Sequence, residues 1–320
     1  MVIIVIVIGA LVMNYALVKI YGHLWGKNLD AQVEFQKEPS LEGRDAMLTE
    51  TIYNRKWLFL PVLQVGFQMH RNLWFADGEN TSVSDQCYKR DIFSVGGYQK
   101  ITRTIPFHCS KRGYYELSQV ELVTRSPLMN KKFYKTLESP DHFYVYPRMV
   151  DDTKLEIPFQ KIMGSVLSHK NLYEDPFEFR GIREYQPTDP MHKINWKVSA
   201  RTDQWMVNLY DSTSAQEVMI LLDVEDETIW KFDEIHEEGI RLAAALASRL
   251  LQQGIPVGIR TNGRDLKSDE CFSLNGGTGP QQVRSLYEGL TRLDLTKKAE
   301  HMEVILDRLR EEKRMETGRM

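Results

Sequence analysis

The chain is short of cysteine. Its 320 residues hold three, Cys87, Cys109 and Cys271, odd in number, widely spaced and without a Cys-x-x-Cys pair. That excludes the usual ligand spacing of a structural zinc site and the framework of a disulfide-built domain. They read as free thiols in a reducing compartment; Cys87 and Cys109 would pair only if their region were extracytoplasmic. An excess of positive charge is also missing, since 41 basic residues face 44 acidic ones for a formal net charge of −3. Nothing therefore draws the whole chain to nucleic acid, which calls for a basic face. Neither a Gly-x-Ser-x-Gly nucleophile elbow nor a His-Glu-x-x-His metal motif occurs. Gly276-Gly277-Thr278-Gly279-Pro280 lacks the lysine of a phosphate-binding loop and reads as a loop capping a helix. These absences favour binding over catalysis.

What stands out instead is hydrophobic length at the amino terminus. Residues 1–20 are apolar apart from Asn14, Tyr15 and Lys19, and about 20 such residues suffice for a helix to cross a bilayer. The basic lead-in and small-residue cleavage site of a signal peptide are not convincing here. The segment is expected to be a membrane anchor over residues 1–25; the competing reading is a buried strand over 2–8. Tyr15, Tyr21 and Trp25 would serve as interfacial aromatics. Lys19, Lys27 and Lys37 follow the span, which places the bulk of the chain in the cytoplasm by the positive-inside rule.

Residues 28–147 read as an antiparallel β-sandwich. Short runs at 46–53, 58–69, 100–108, 114–124 and 142–146 are separated by Gly, Asn and Asp, without helical periodicity. A polar stretch to about residue 178 reads as a connection. Residues 148–310 then read as an α/β domain: strands at 204–210, 217–223, 255–260 and 270–274, helices at 232–253, 283–293 and 299–310, and a largely parallel sheet. Residues 311–320 form a charged tail.

Two places could carry chemistry. Asp223 ends a buried apolar strand, where ligands of α/β sheets bind. With Glu225, Asp226 and Glu227 it puts four carboxylates in five residues, a set suited to Mg²⁺ or another divalent cation. The alternative is an acidic lead-in to the next helix. Thr261-Asn262-Gly263-Arg264 would lie on the same edge, Asn-Gly reading first as a turn. The second place is the Pro-punctuated segment 181–201. An acid–base pair of Asp189 and His192, with the Asp223 cluster, would make a metal-assisted hydrolase. The simpler reading makes Asp189 the cap of a helix over 191–201, with Pro190 at its first position. Trp196 then buries against the sheet, and Arg183 and Arg201 clamp the element, onto Asp189 or Asp223.

The residues Gly181, Arg183, Tyr185, Pro187, Asp189, Ile194, Trp196, Ala200 and Arg201 resemble the signature of the bacterial domain-of-unknown-function family 58. Thr188 stands where that family has Gly, and His192 where it has Arg. Lys111-Arg112-Gly113-Tyr114-Tyr115, Tyr146-Pro147-Arg148 and the membrane segment are similar to the family's flanking elements, while Ser126-Pro127-Leu128 departs from its Asp-Pro-Phe. The resemblance implies a von Willebrand factor A-like domain with no established enzymatic activity. It also implies a MoxR-type AAA+ ATPase as partner, alongside other membrane or envelope proteins. In related von Willebrand factor A domains an Asp-x-Ser-x-Ser run binds the metal. Here Asp223 matches the acid, but Glu225 and Glu227 replace both serines.

Overall fold

A computed structural model describes residues 2–75, 81–83, 86–150, 152–172, 179–187, 189–210, 217–226 and 230–317. The chain divides into two compact units, Met1–Arg148 and Met149–Met320.

The first unit begins with the helix α1 (Val2–Leu24); the strand alternative at 2–8 is thereby set aside. Residues Ile3–Leu24 are long and apolar enough to cross a membrane. In its second half Asn14, Val18, Tyr21, Gly22 and Leu24 are the less exposed positions, and Trp25 follows just past its end; Asn14, Val18, Tyr21 and Trp25 are spaced so that they fall on one face. Tyr21 and Trp25 are each only 5% exposed and belong to the core of this unit, not to a lipid interface. The Tyr21 hydroxyl lies 3.1 Å from Thr124 Oγ1, and both rings pack on Phe133 at 5.9 and 6.3 Å. The carbonyls left over where the helix ends attract cations. Lys56 Nζ donates to the carbonyl of Trp25 at 2.6 Å, and Lys135 Nζ donates to those of Gly26 and Leu29 at 2.8 and 3.1 Å. Gly22 permits the close approach: a Cβ there would sit 2.6 Å from Phe133 Cε1. Gly22→Leu is therefore expected to cost about 1–3 kcal/mol through overpacking, read as a lower thermal midpoint of the full chain in detergent.

Ten strands follow: β1 (Leu29–Phe35), β2 (Ser40–Leu41), β3 (Asp45–Asn54), β4 (Leu60–His70), β5 (Leu73–Trp74), β6 (Thr81–Val83), β7 (Gln86–Val95), β8 (Lys100–Cys109), β9 (Gly113–Arg125) and β10 (Lys132–Tyr146). They form two curled sheets, ordered β1-β3-β8-β5 and β2-β10-β9-β4-β7-β6. Every pairing is antiparallel except that of β2 with β10. Inward positions alternate along the strands and supply one core. Phe35, Phe107 and Phe143 meet at its centre with ring centroids 5.2–5.7 Å apart. Cys87 and Cys109 are buried there as free thiols, and burial pushes the Cys109 thiol up to about 12.

The same core holds charge. Glu50 on β3 and Lys89 and Asp91 on β7 are 1–2% exposed. Asp91 Oδ1 lies 3.9 Å from Lys89 Nζ and 3.4 Å from Arg103 Nη1. Among the described residues neither carboxylate oxygen of Glu50 has a hydrogen-bond partner. Burial, reinforced by Asp91, pushes the Glu50 carboxyl up to about 7.

The second unit starts with a helix where the sequence suggests a featureless connection. This is α2 (Asp152–Leu172), of which Leu155 and Phe159 are buried. Then come β11 (Phe179–Glu184), α3 (Trp196–Thr202), β12 (Met206–Tyr210), β13 (Val218–Leu222), α4 (Asp233–Gln252), β14 (Val257–Asp265), β15 (Cys271–Gly277), α5 (Pro280–Thr291), β16 (Leu293–Asp294) and α6 (Met302–Thr317). β11 and β12 pair as a separate antiparallel ribbon. In the larger sheet only β13 and β14 run parallel, and β15 and β16 join β14 antiparallel. This corrects the expectation of a largely parallel sheet. A parallel neighbour requires a crossover, which α4 provides between β13 and β14. The β14–β15 link is instead a tight turn, closed by Asp265 Oδ1 accepting from Lys267 N at 2.7 Å, so the chain doubles straight back.

Candidate functional site

The segment 181–210 is built around a two-stranded ribbon. Gly181, Ile182, Arg183 and Glu184 pair with Leu209, Asn208, Val207 and Met206. Arg183 then reaches into the following turn. Its Nη1 and Nη2 donate to Asp189 Oδ2 and Oδ1, both at 2.6 Å, and Asp189 Oδ2 also accepts from Gln186 N at 2.9 Å. This fork-to-fork geometry is specific to arginine. The Arg183 hydrogen bonds, with that of Gln186, hold the Asp189 carboxyl below the usual carboxylate range. Tyr185 N donates to Trp205 O at 2.8 Å, and the two rings meet edge-on at 5.4 Å.

Two expectations for this segment fail. Residues 191–201 are not one helix capped by Asp189: Met191–Lys193 make a 3₁₀ turn, and α3 starts afresh with Asn195 as its cap, Oδ1 accepting from Val198 N at 3.1 Å. The reason is local. Ile194 is drawn into a bridge with Val207 and is buried, which breaks the helical path. Trp196, on the other side of that break, is 64% exposed rather than packed on the sheet. Pro187, His192, Ala200 and Arg201 are exposed too, Gly181 and Tyr185 are half-buried, and Thr188 lies outside the described residues. Asp189 is thus turned to Arg183, while His192 stands on the exposed side of the 3₁₀ turn. Arg183→Lys is expected to speed amide exchange at Gln186 several-fold, since a lysine cannot hold both carboxylate oxygens.

The edge beyond β13 is organised by a residue that reads in the sequence as a turn. Asn262 lies inside β14 and is fully buried. Its Oδ1 accepts from Val224 N at 2.9 Å, and its Nδ2 donates to Asp223 Oδ1 at 2.7 Å and to the Glu300 carbonyl at 2.9 Å. Asp223 Oδ1 also accepts from Glu225 N at 2.9 Å. The neighbouring acids face histidines: Glu225 Oε1 lies 2.6 Å from His301 Nδ1, and Asp226 Oδ1 lies 2.8 Å from His236 Nε2. The His236 hydrogen bond keeps the Asp226 carboxyl below its usual range. Arg308 Nη2 approaches Glu300 Oε2 at 3.2 Å.

Among the described residues no three His, Cys, Asp or Glu side chains converge as a metal would require. Asp223 and Glu225 are committed to Asn262 and His301, and Glu227 lies outside the described residues. What the edge presents is a ring of paired charges around a hydrogen-bonded asparagine. Of these groups Asn262 lies in the Thr261–Arg264 stretch that the sequence places on this edge as a turn, while Glu300 and His301 had no distinguishing signal in the sequence.

Residues 181–316 match the family described as "Protein of unknown function DUF58". The match covers less than half of the chain and takes in the signature ribbon together with the Asp223 edge. No curated protein matches the chain. Among solved structures it is similar to the PapD-like domain 7 of human CEP192, with 9% identity over 38% of this chain and 87% of that one, TM-score 0.24. It is similar also to a CARDB domain from Pyrococcus furiosus, with 14% identity over 36% and 90%, TM-score 0.21. A non-cellulosomal cohesin from Archaeoglobus fulgidus gives 11% identity over 40% and 96%, TM-score 0.23. At such scores these likenesses carry no argument about the DUF58 region or the rest of the chain.

Proposed function

We propose that the chain is a membrane-anchored interaction module of the DUF58 kind. On this reading it works with a MoxR-type AAA+ ATPase in the assembly or maturation of other proteins, and binds rather than catalyses. The observation that carries it is the way α1 enters the first unit: a membrane-length apolar helix whose last turns, Tyr21 and Trp25, are part of a protein core. Such a helix positions a folded surface at a bilayer. The β13–α4–β14 crossover supports a von Willebrand factor A-like reading of the second unit, as does Asp223 at the end of β13. The hydrogen bonding of Asp223 and the pairing of Glu225 with His301 support a docking edge over a metal centre. Lys27 and Lys37, beyond the span, favour a cytoplasmic location for both units, where such an ATPase is accessible.

The test is recovery of the full chain from detergent-solubilised membranes, with the bound proteins identified. An AAA+ ATPase is expected in the wild-type eluate, and less of it with a His301→Ala, Glu225→Ala chain. Equal recovery from both, or none from either, would count against the reading. Digestion of intact cells and spheroplasts by an external protease is expected to spare both units.

A further inference from the structure

The turn between β9 and β10 lies against the middle of α1. Asn130 Nδ2 donates to Asn14 Oδ1 at 3.4 Å, and Asn14 stands halfway along the membrane-length run Ile3–Leu24. Tyr21 is held in the protein core, and the turn reaches about 10 Å further along α1, toward the exposed apolar residues that precede Asn14, so it is placed to meet the lipid surface into which that half of the helix runs.

The turn is built for that position. It is closed by Ser126 N donating to Lys131 O at 2.8 Å, by Met129 N donating to Ser126 O at 2.7 Å, and by Ser126 Oγ bonding Asn130 Oδ1 at 2.5 Å. Closed in this way, it holds Leu128 and Met129 outward, 60% and 53% exposed. Arg125, Lys131 and Lys132 surround them and are exposed. Apolar tips in a basic collar are the composition of elements that enter anionic lipid surfaces. Leu11, Leu17 and Ile20 of α1 are exposed as well.

Between the turn and the helix runs a groove of roughly 570 Å³. Leu11, Val18 and Phe133 line it, together with Lys19 and Lys131. The two ammonium groups lie over aromatic rings, Lys19 Nζ at 5.2 Å from the Tyr15 centroid and Lys131 Nζ at 5.7 Å from that of Phe133. Among the described residues neither has an acidic partner. A groove lined by apolar side chains and by two lysines without acidic partners among the described residues matches an acyl chain ending in an anionic headgroup.

We propose that the β9–β10 turn is a second membrane contact: Leu128 and Met129 enter the lipid surface, and Lys19 and Lys131 hold an anionic phospholipid headgroup between the turn and α1. This rests on the reading of α1 as a membrane anchor.

The test uses the full chain with Cys271→Ser, since Cys87 and Cys109 are buried. Single cysteines replace Leu128, Ile6 on α1, or Met47, an exposed residue at the far end of β3 from the helix junction. Each carries an environment-sensitive fluorophore, and the chains are reconstituted into vesicles containing a lipid spin-labelled near the glycerol level. Quenching about two-fold stronger at Leu128 than at Met47 is expected. It is expected to be stronger with phosphatidylglycerol than with phosphatidylcholine alone, and Lys19→Gln with Lys131→Gln is expected to remove that difference. Quenching at Ile6 with none at Leu128 would overturn the inference and leave the anchor standing. Absence of quenching at both would overturn the anchor reading with it. Quenching at Leu128 that ignores lipid charge would overturn the headgroup assignment.

Discussion

Replacing Glu50 with glutamine is expected to flatten the pH dependence of the first unit's stability. Burial raises the Glu50 carboxyl from 4.5 to about 7 in the folded chain. Between those values the folded state holds a proton that the unfolded state has released, so stability falls as pH rises. The contribution is fully present below pH 4.5 and gone above about pH 7. At about 1.4 kcal/mol per unit, the loss is about 3 kcal/mol. Glutamine has the neutral shape at every pH and should show none of it. Amide exchange along β3 and β7, followed from pH 4.5 to 7.5 in the full chain, measures the slope in each protein. An equal slope in the variant would place the titrating group elsewhere.

The second large effect is expected at Asn262. Asn262→Ala removes three hydrogen bonds, to Val224 N, Asp223 Oδ1 and the Glu300 carbonyl, and leaves the buried Val224 N–H without its acceptor. An orphaned buried donor costs about 1–3 kcal/mol, and each lost bond about 1 kcal/mol. The second unit should therefore lose about 3 kcal/mol, seen as an earlier thermal transition. Asn262→Asp keeps the acceptor for Val224 N but sets a carboxylate against Asp223. Its defect is expected to shrink as pH falls through the carboxylate range, which separates the hydrogen bond from mere loss of volume.

Both sites show where sequence reading ran out. Strands such as β3 and β9 were legible because their inward positions are mostly apolar and alternate, Glu50 being the exception on β3. β7 was not, because two of its inward positions are Lys89 and Asp91, which mimic a solvated face. α2 was hidden for the converse reason: among its described side chains only Leu155 and Phe159 are buried, so no strong stripe marks it. Asn262-Gly263 has the composition of a turn, and only the partners brought by Val224 and Glu300 make it strand. The Arg183–Asp189 pair could be anticipated from spacing and donor geometry. The exposure of Trp196 could not, since it depends on Ile194 being captured by Val207 across the ribbon. The amino-terminal helix was plain from hydropathy. Nothing in its composition tells Tyr21 and Trp25, which face protein, from Tyr15, which does not.

The capture of the Trp25, Gly26 and Leu29 carbonyls by Lys56 and Lys135 has a mechanical consequence. A tether that ends in a floppy linker lets its cargo tumble and absorbs any pull as slack. Here the chain just past α1 is bolted at three carbonyls, by Lys56 of the β3–β4 loop and Lys135 of β10, so there is no swivel between anchor and cargo. Force applied to the first unit is delivered to the helix as torque, and the tilt of the helix sets the direction in which the sheets face.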